Sequence, residues 1–250
     1  MQLIDIHTHI YPDEIAQKAT DSIKSFYQLG GGGMDGTERM LLERGAEAGI
    51  SQYVILPVSN TPNRVHSINS FILEQTKQYD DFIGFGTVHA EMEGLSEEVE
   101  RIMKLGLRGI KMHPDSQRFP IDDSRLYPVY DAIQGKIPVM LHMGDHRYDY
   151  SHPIKLRRIL DLFPGLQVIA AHFGGYRCWH ESEIYKGLNN VYFDTCSSLP
   201  FISPDRAREL IDLHGADKFF FATDFPMWDA KGELERFNKI PLTDTEREMI

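Results

Sequence analysis

The sequence predicts an α/β fold, a (β/α)8 barrel of the TIM type, and three observations carry that expectation. Eight short apolar segments recur along the chain, helix-like segments separate them, and polar residues able to bind metal sit at the ends of particular strands. With 250 residues, 42% of them hydrophobic, the chain is long enough for one such domain with a substantial core. Residues 1–250 are read as that single domain.

The strands are expected near residues 2–8, 52–58, 82–88, 107–112, 137–142, 166–171, 190–195 and 217–223. Segments this apolar on both faces suit a parallel sheet covered by helices. Helical spacing runs over 38–48, 65–79, 96–105, 126–134, 154–162 and 204–213. Ser96 followed by Glu98 and Val99, and Ser203 followed by Pro204, read as helix starts. Thr243 with Glu246 three residues later reads as a capping box. An open doubly wound sheet is the rival architecture, but no glycine-rich dinucleotide fingerprint follows a strand. Gly30-Gly31-Gly32-Gly33 follows a helix-like stretch instead, and is read as a flexible part of a long loop after the first strand, about residues 11–37, acting as an active-site lid.

Twenty-six Lys and Arg against 37 Asp and Glu give a net charge of −11, with no basic run, which disfavours nucleic acid and anionic membranes as partners. A small-molecule substrate is expected. The chain opens directly on strand-like sequence and holds no long apolar stretch, so a cytoplasmic location is expected. Cys178 and Cys196 match no disulfide framework, zinc ribbon or redox pair, and read as free thiols.

His7 and His9 end the run Leu3-Ile4-Asp5-Ile6-His7-Thr8-His9. Alternate residues of a strand share a face, so both imidazoles project together, and neutral imidazole is a common ligand of transition metals. Lys111, His142, His172 and Asp224 also fall at strand ends. The first three are spaced at about 30 residues, one βα unit each, and Asp224 follows two units later. All six therefore converge on one barrel mouth. Three imidazoles and a carboxylate leave room for a water that a divalent cation would activate. His172 is a candidate acid or base, and Asp224 has two candidate roles, metal ligand and general base. His89 and His113 are candidates for substrate contact, as is Tyr148 in the polar loop at 145–152. Arg177 is a candidate clamp for a substrate carboxylate.

Five segments in chain order resemble the amidohydrolase superfamily, in its branch of aminocarboxymuconate- and resorcylate-type decarboxylases. They are Asp5-Ile6-His7-Thr8-His9, Gly109-Ile110-Lys111-Met112-His113-Pro114, Leu141-His142-Met143-Gly144, Ala171-His172-Phe173-Gly174-Gly175 and Ala222-Thr223-Asp224-Phe225-Pro226. The resemblance implies that His7, His9, His142 and Asp224 hold a divalent metal, zinc foremost or manganese, with His172 beside it. It also implies a homodimer or homotetramer. Lys111 departs from the decarboxylases: in several hydrolases of the superfamily a lysine at this place is carboxylated and bridges two metals, His142 and His172 then holding the second. The expectation is therefore a hydrolase using metal-activated water on a small carbonyl- or carboxylate-containing substrate. The alternative is a non-oxidative, metal-dependent decarboxylase.

Overall fold

Parallel hydrogen bonds between consecutive strands define the architecture of this chain, whose computed structural model describes residues 2–29 and 34–250. The glycine run at 30–33, read above as part of a lid, lies outside the described residues. The strands are β1 (Leu3–Thr8), β2 (Ile50–Ile55), β3 (Phe82–Gly84), β4 (Gly86–Thr87), β5 (Ile110–Met112), β6 (Val139–Leu141), β7 (Val168–Ala170), β8 (Val191–Asp194) and β9 (Phe219–Phe220). Every pairing is parallel, in the order β1-β2-β3 and then β4 through β9.

The expected strand at 82–88 is one barrel position cut in two at Phe85. Phe85 N donates to Ile55 O at 3.0 Å and Gly86 N to Gly109 O at 2.9 Å, so the chain changes partners between adjacent residues. A side chain repairs the cut. Asn69, fully buried, accepts from Thr87 N at 2.7 Å and donates to Thr87 O at 2.9 Å, as a neighbouring strand would. The other seam joins β1 to the residues after β9: Ile6 N donates to Phe221 O at 3.2 Å, Asp224 N to His7 O at 2.8 Å and His9 N to Phe225 O at 2.8 Å. Asp5 reinforces it by accepting from Thr223 N and Thr223 Oγ1. Val54, Leu56, Phe85 and Met140 pack together with Ile6, Ile83 and Ile169. These side chains bring β1, β2 and β3 together with β6 and β7, which do not pair with them, as in a closed barrel whose axis is filled by side chains.

The larger core lies between the strands and helices α1 (Asp13–Tyr27), α2 (Glu38–Ala48), α3 (Val65–Gln78), α4 (Leu95–Lys104), α5 (Pro114–Gln117), α6 (Tyr127–Ile133), α7 (Pro153–Leu162), α8 (Pro204–His214), α9 (Ala230–Phe237) and α10 (Asp244–Met249). Ser203 accepts from Arg206 N with Pro204 in the first turn, and Thr243 and Glu246 form the expected capping box. Two expectations need correction. α4 starts on Gly94 at φ 68° with no side-chain cap, so Ser96 lies inside the helix. The loop expected over 11–37 contains α1, a 15-residue helix with Asp13 and Glu14 in its first turn and Lys24 in its last, ending on Gln28 in the left-handed region. Among the described residues, no helix is long and apolar enough to cross a membrane.

Candidate metal centre

Strand register gathers the site. Met112 pairs with Leu141 and Leu141 with Ala170, so His113, His142 and the Ala171-His172 step leave their strands side by side at the barrel mouth. Gly144, at φ 73°, lets the ends of β6 and β7 meet, because a Cβ there would lie 2.8 Å from the carbonyl carbon of Gly175. His172, Ser197 and Asp224 all hold left-handed backbone, with φ of 62°, 52° and 63°. Strain of this kind is retained where surrounding structure holds a functional side chain in place.

The hydrogen bonds of His7 and His9 fix their ring hydrogens. His7 Nδ1 lies 2.7 Å from Asp194 Oδ2, and His9 Nδ1 lies 2.6 Å from Leu56 O. A carboxylate and a carbonyl accept, so both Nδ1 atoms donate, and in the neutral rings both Nε2 atoms keep a lone pair. Those lone pairs face Asp224 Oδ1 at 3.6 Å and 3.4 Å. Two lone-pair nitrogens and an anionic oxygen in one buried corner repel one another unless a cation lies among them. Their ligand atoms all lie within 4.8 Å of one another. The residues present therefore fit a divalent cation.

Electrostatics agree with that donor set. Burial, and then the charge of Lys111, push His7 well below the usual imidazole range, so it stands neutral. Burial alone would raise the Asp224 carboxyl, but positive charge in the corner formed by His7, His9 and His172 lowers it, so a cation held there favours the carboxylate. The second oxygen of Asp224 accepts from Ser197 Oγ, which in turn accepts from Trp228 Nε1 at 2.9 Å. Lys111, 1% exposed, has its Nζ 3.0 Å from His7 Nε2. Burial lowers its ammonium pKa against the pull of Asp194 and Asp224. Lysine and metal thus compete for one lone pair.

His142 was expected beside His7, His9 and Asp224, but the structure groups it with His113 and Asp115 instead. Its ring stacks on His113 with centroids 3.9 Å apart, Nε2 is 3.0 Å from Gly144 O, and Nδ1 is 2.9 Å from His172 Nε2. Burial drives His113, His142 and His172 below their usual range. Asp115, which accepts from Ser151 Oγ, is raised by burial to about 6. The remaining expected residues are peripheral. His89 accepts from Glu91 N and packs on Phe119, Arg177 lies 3.7 Å above the Phe201 ring, and Tyr148 is exposed and stacked on Phe26.

Four participants escaped the sequence reading. Asp194, at the end of β8, accepts from His7, from His172 N at 2.7 Å and from the Cys196 thiol at 3.2 Å. The strand-end rule that singled out His142 would have found it. Cys196 was read only as a thiol, yet its Sγ lies 3.3 Å from His7 Nδ1 and 3.4 Å from His172 Nδ1. Tyr27 enters from α1 and Tyr176 from the segment after His172, their rings 5.6 Å apart over the histidines.

The sequence matches the amidohydrolase family over residues 4–250. No curated protein matches the chain. Among solved structures, an uncharacterised TIM-barrel protein from Bordetella bronchiseptica aligns at TM-score 0.82 and 21% identity, covering 100% of this chain and 95% of that one. A 2,6-dihydroxybenzoate decarboxylase from Rhizobium aligns at TM-score 0.75 and 16% identity, covering 100% and 96%. A dihydroxybenzoic acid decarboxylase from a Polaromonas species, with bound manganese and the inhibitor 2-nitroresorcinol, aligns at TM-score 0.74 and 18% identity, covering 100% and 94%. At these identities the likeness shows the barrel fold.

Proposed function

The chain belongs to the amidohydrolase family, and from that premise we propose that it is a metal-dependent, non-oxidative decarboxylase of a small aromatic carboxylate. One observation carries the reading. The His7, His9 and Asp224 corner lies in a mouth walled by Tyr27 and Tyr176, whose rings meet edge-on over the histidines, with Phe26 edge-on behind Tyr27. Flat aromatic walls suit a planar acid delivered carboxylate-first to a cation. Decarboxylases of dihydroxybenzoates share the fold over the full chain, and one of them holds manganese. This places the carboxy-lyase reading ahead of the hydrolase expected from Lys111.

His7, His9 and Asp224 would hold the metal, manganese in preference to zinc, with His142 as the candidate fourth ligand. A bound divalent ion would supply Lewis-acid stabilisation of the substrate's oxygens. Asp194 and Leu56 O orient the two imidazoles. His172 would deliver the proton that takes the place of carbon dioxide on the ring carbon, as the bonding pair of the broken carbon–carbon bond returns to the ring, while Asp224 stays an anion. The buried Tyr176 and the half-buried Tyr27 limit water at that carbon. The test is carbon dioxide release from 2,6-dihydroxybenzoate and 5-carboxyvanillate by manganese-loaded protein. Release that His172→Ala abolishes supports the reading; hydrolysis of lactones or esters without any release overturns it.

Lys111 favours a second reading. It is buried and 3.0 Å from His7 Nε2, and a carboxylated Lys111 would add an oxygen donor to a two-ion centre in which His142 and His172, 2.9 Å apart, would hold the second ion. Mass measurement of an added carboxylate on Lys111 would favour that hydrolase.

A further inference from the structure

Tyr27 is the last residue of α1, yet its phenol lies inside the site, with Oη 2.6 Å from His113 Nε2 and 3.3 Å and 3.5 Å from the two ring nitrogens of His142. The direction of these contacts follows from their neighbours. Ser116 N–H points at His113 Nδ1 at 3.3 Å, so Nδ1 accepts and the ring hydrogen of His113 is on Nε2. His113 therefore donates to Tyr27 Oη, and the phenol keeps its own hydrogen to give. His142 takes it poorly. Its Nε2 bears the hydrogen directed at Gly144 O, and its Nδ1 is engaged by His172 while lying 3.5 Å from the phenol.

α1 itself is held down by one arginine. Arg147 Nη1 donates to Phe26 O, and its guanidinium lies 4.7 Å from the Phe26 ring and 5.3 Å from that of Tyr27. Asp145, buried, fixes the other side of the guanidinium through bonds of 2.8 Å and 2.6 Å. With the helix end seated, His7, His142 and His172 are at most 3% exposed. Phe26 and Tyr27 cover this side of the site, Phe26 against His113 and Tyr27 against His113 and His142.

We infer that Tyr27 is a substrate-binding residue that α1 carries into the site, where its hydroxyl donates a hydrogen bond to an anionic oxygen of the bound ligand while Arg147 latches the helix end. The inference rests on the decarboxylase reading only for one of its two probes. Tyr27 sets specificity by favouring an oxyanion beneath α1, and a ligand without an oxygen acceptor there leaves the phenol's hydrogen without a partner.

The experiment compares manganese-loaded wild type, Tyr27→Phe and Arg147→Ala. Calorimetry measures binding of 2-nitroresorcinol and of acetate, and a chelator measures the rate of metal release. Tyr27→Phe should bind the probes roughly 10-fold more weakly, as loss of one hydrogen bond to a charged group requires, with metal content unchanged and Tm lowered only by the loss of the His113 bond. Arg147→Ala should release manganese roughly 10-fold faster, since the unlatched helix opens more often. If wild type binds acetate but not 2-nitroresorcinol, and Tyr27→Phe still weakens acetate, the decarboxylase reading fails and this inference stands. It is overturned by Tyr27→Phe binding as tightly as wild type, by an unchanged release rate in Arg147→Ala, or by a wild type that takes up neither probe.

Discussion

His9 Nε2 stands 3.4 Å from Asp224 Oδ1, and in the neutral ring, whose hydrogen is committed to Leu56 O at 2.6 Å, no hydrogen lies between them. Without a cation, that contact is repulsive. Asp224→Asn places an amide donor there, so the metal-free variant should be more stable than metal-free wild type, by roughly 0.5–2 kcal/mol, while its metal affinity falls. Thermal unfolding in chelator and after manganese addition measures both. An unchanged metal-free Tm would show that the corner is not frustrated.

Asp194→Asn should weaken metal binding roughly 10- to 100-fold without removing a proposed ligand. An amide nitrogen facing His7 Nδ1 no longer enforces the tautomer that leaves Nε2 free, and His172 N loses a charged acceptor. Competition with a fluorescent chelator gives the affinity. Wild-type binding would exclude a positioning role for Asp194.

Asn69→Leu should lower stability by about 2–4 kcal/mol, through the loss of paired partners for Thr87 N and Thr87 O and of the 2.7 Å bond to Glu98. Urea unfolding reads this directly. A loss below about 0.5 kcal/mol would mean that the cut strand does not need its side-chain clamp.

The His214 imidazole, packed against Phe193 and Phe219, is lowered to about 4 by burial and by Lys186. Between pH 6.5 and 4 the unfolded chain binds this proton and the folded chain does not. Stability from this group is therefore complete above pH 6.5 and lost as pH falls toward 4. His214→Gln should flatten the fall of Tm across that window. An unaltered slope would place the acid sensitivity elsewhere.

The barrel was legible because eight apolar segments and the helix-like stretches between them leave few other architectures. The cut at Phe85 was not, since an apolar residue beside glycine reads as strand on either side, and the break exists only as a change of hydrogen-bond partner from Ile55 to Gly109. His7, His9, Lys111, His142, His172 and Asp224 could be addressed because a strand end is a place visible in sequence. Tyr27 has no such address. It reaches the histidines from a helix whose angle over the mouth is set by tertiary contacts, among them Arg147 on Phe26 O. The grouping of His142 with His113 and Asp115 likewise depends on a ring rotation that no spacing encodes.

Metal content per chain in wild type, His9→Ala and Lys111→Met tests the central claim most directly. The expected result is about one manganese or zinc per wild-type chain, almost none in His9→Ala, and equal or tighter binding in Lys111→Met, because the lysine no longer donates into the His7 lone pair. A wild type that holds no metal after loading would contradict the account, and about two ions per chain falling in Lys111→Met would replace it with the bridged hydrolase centre.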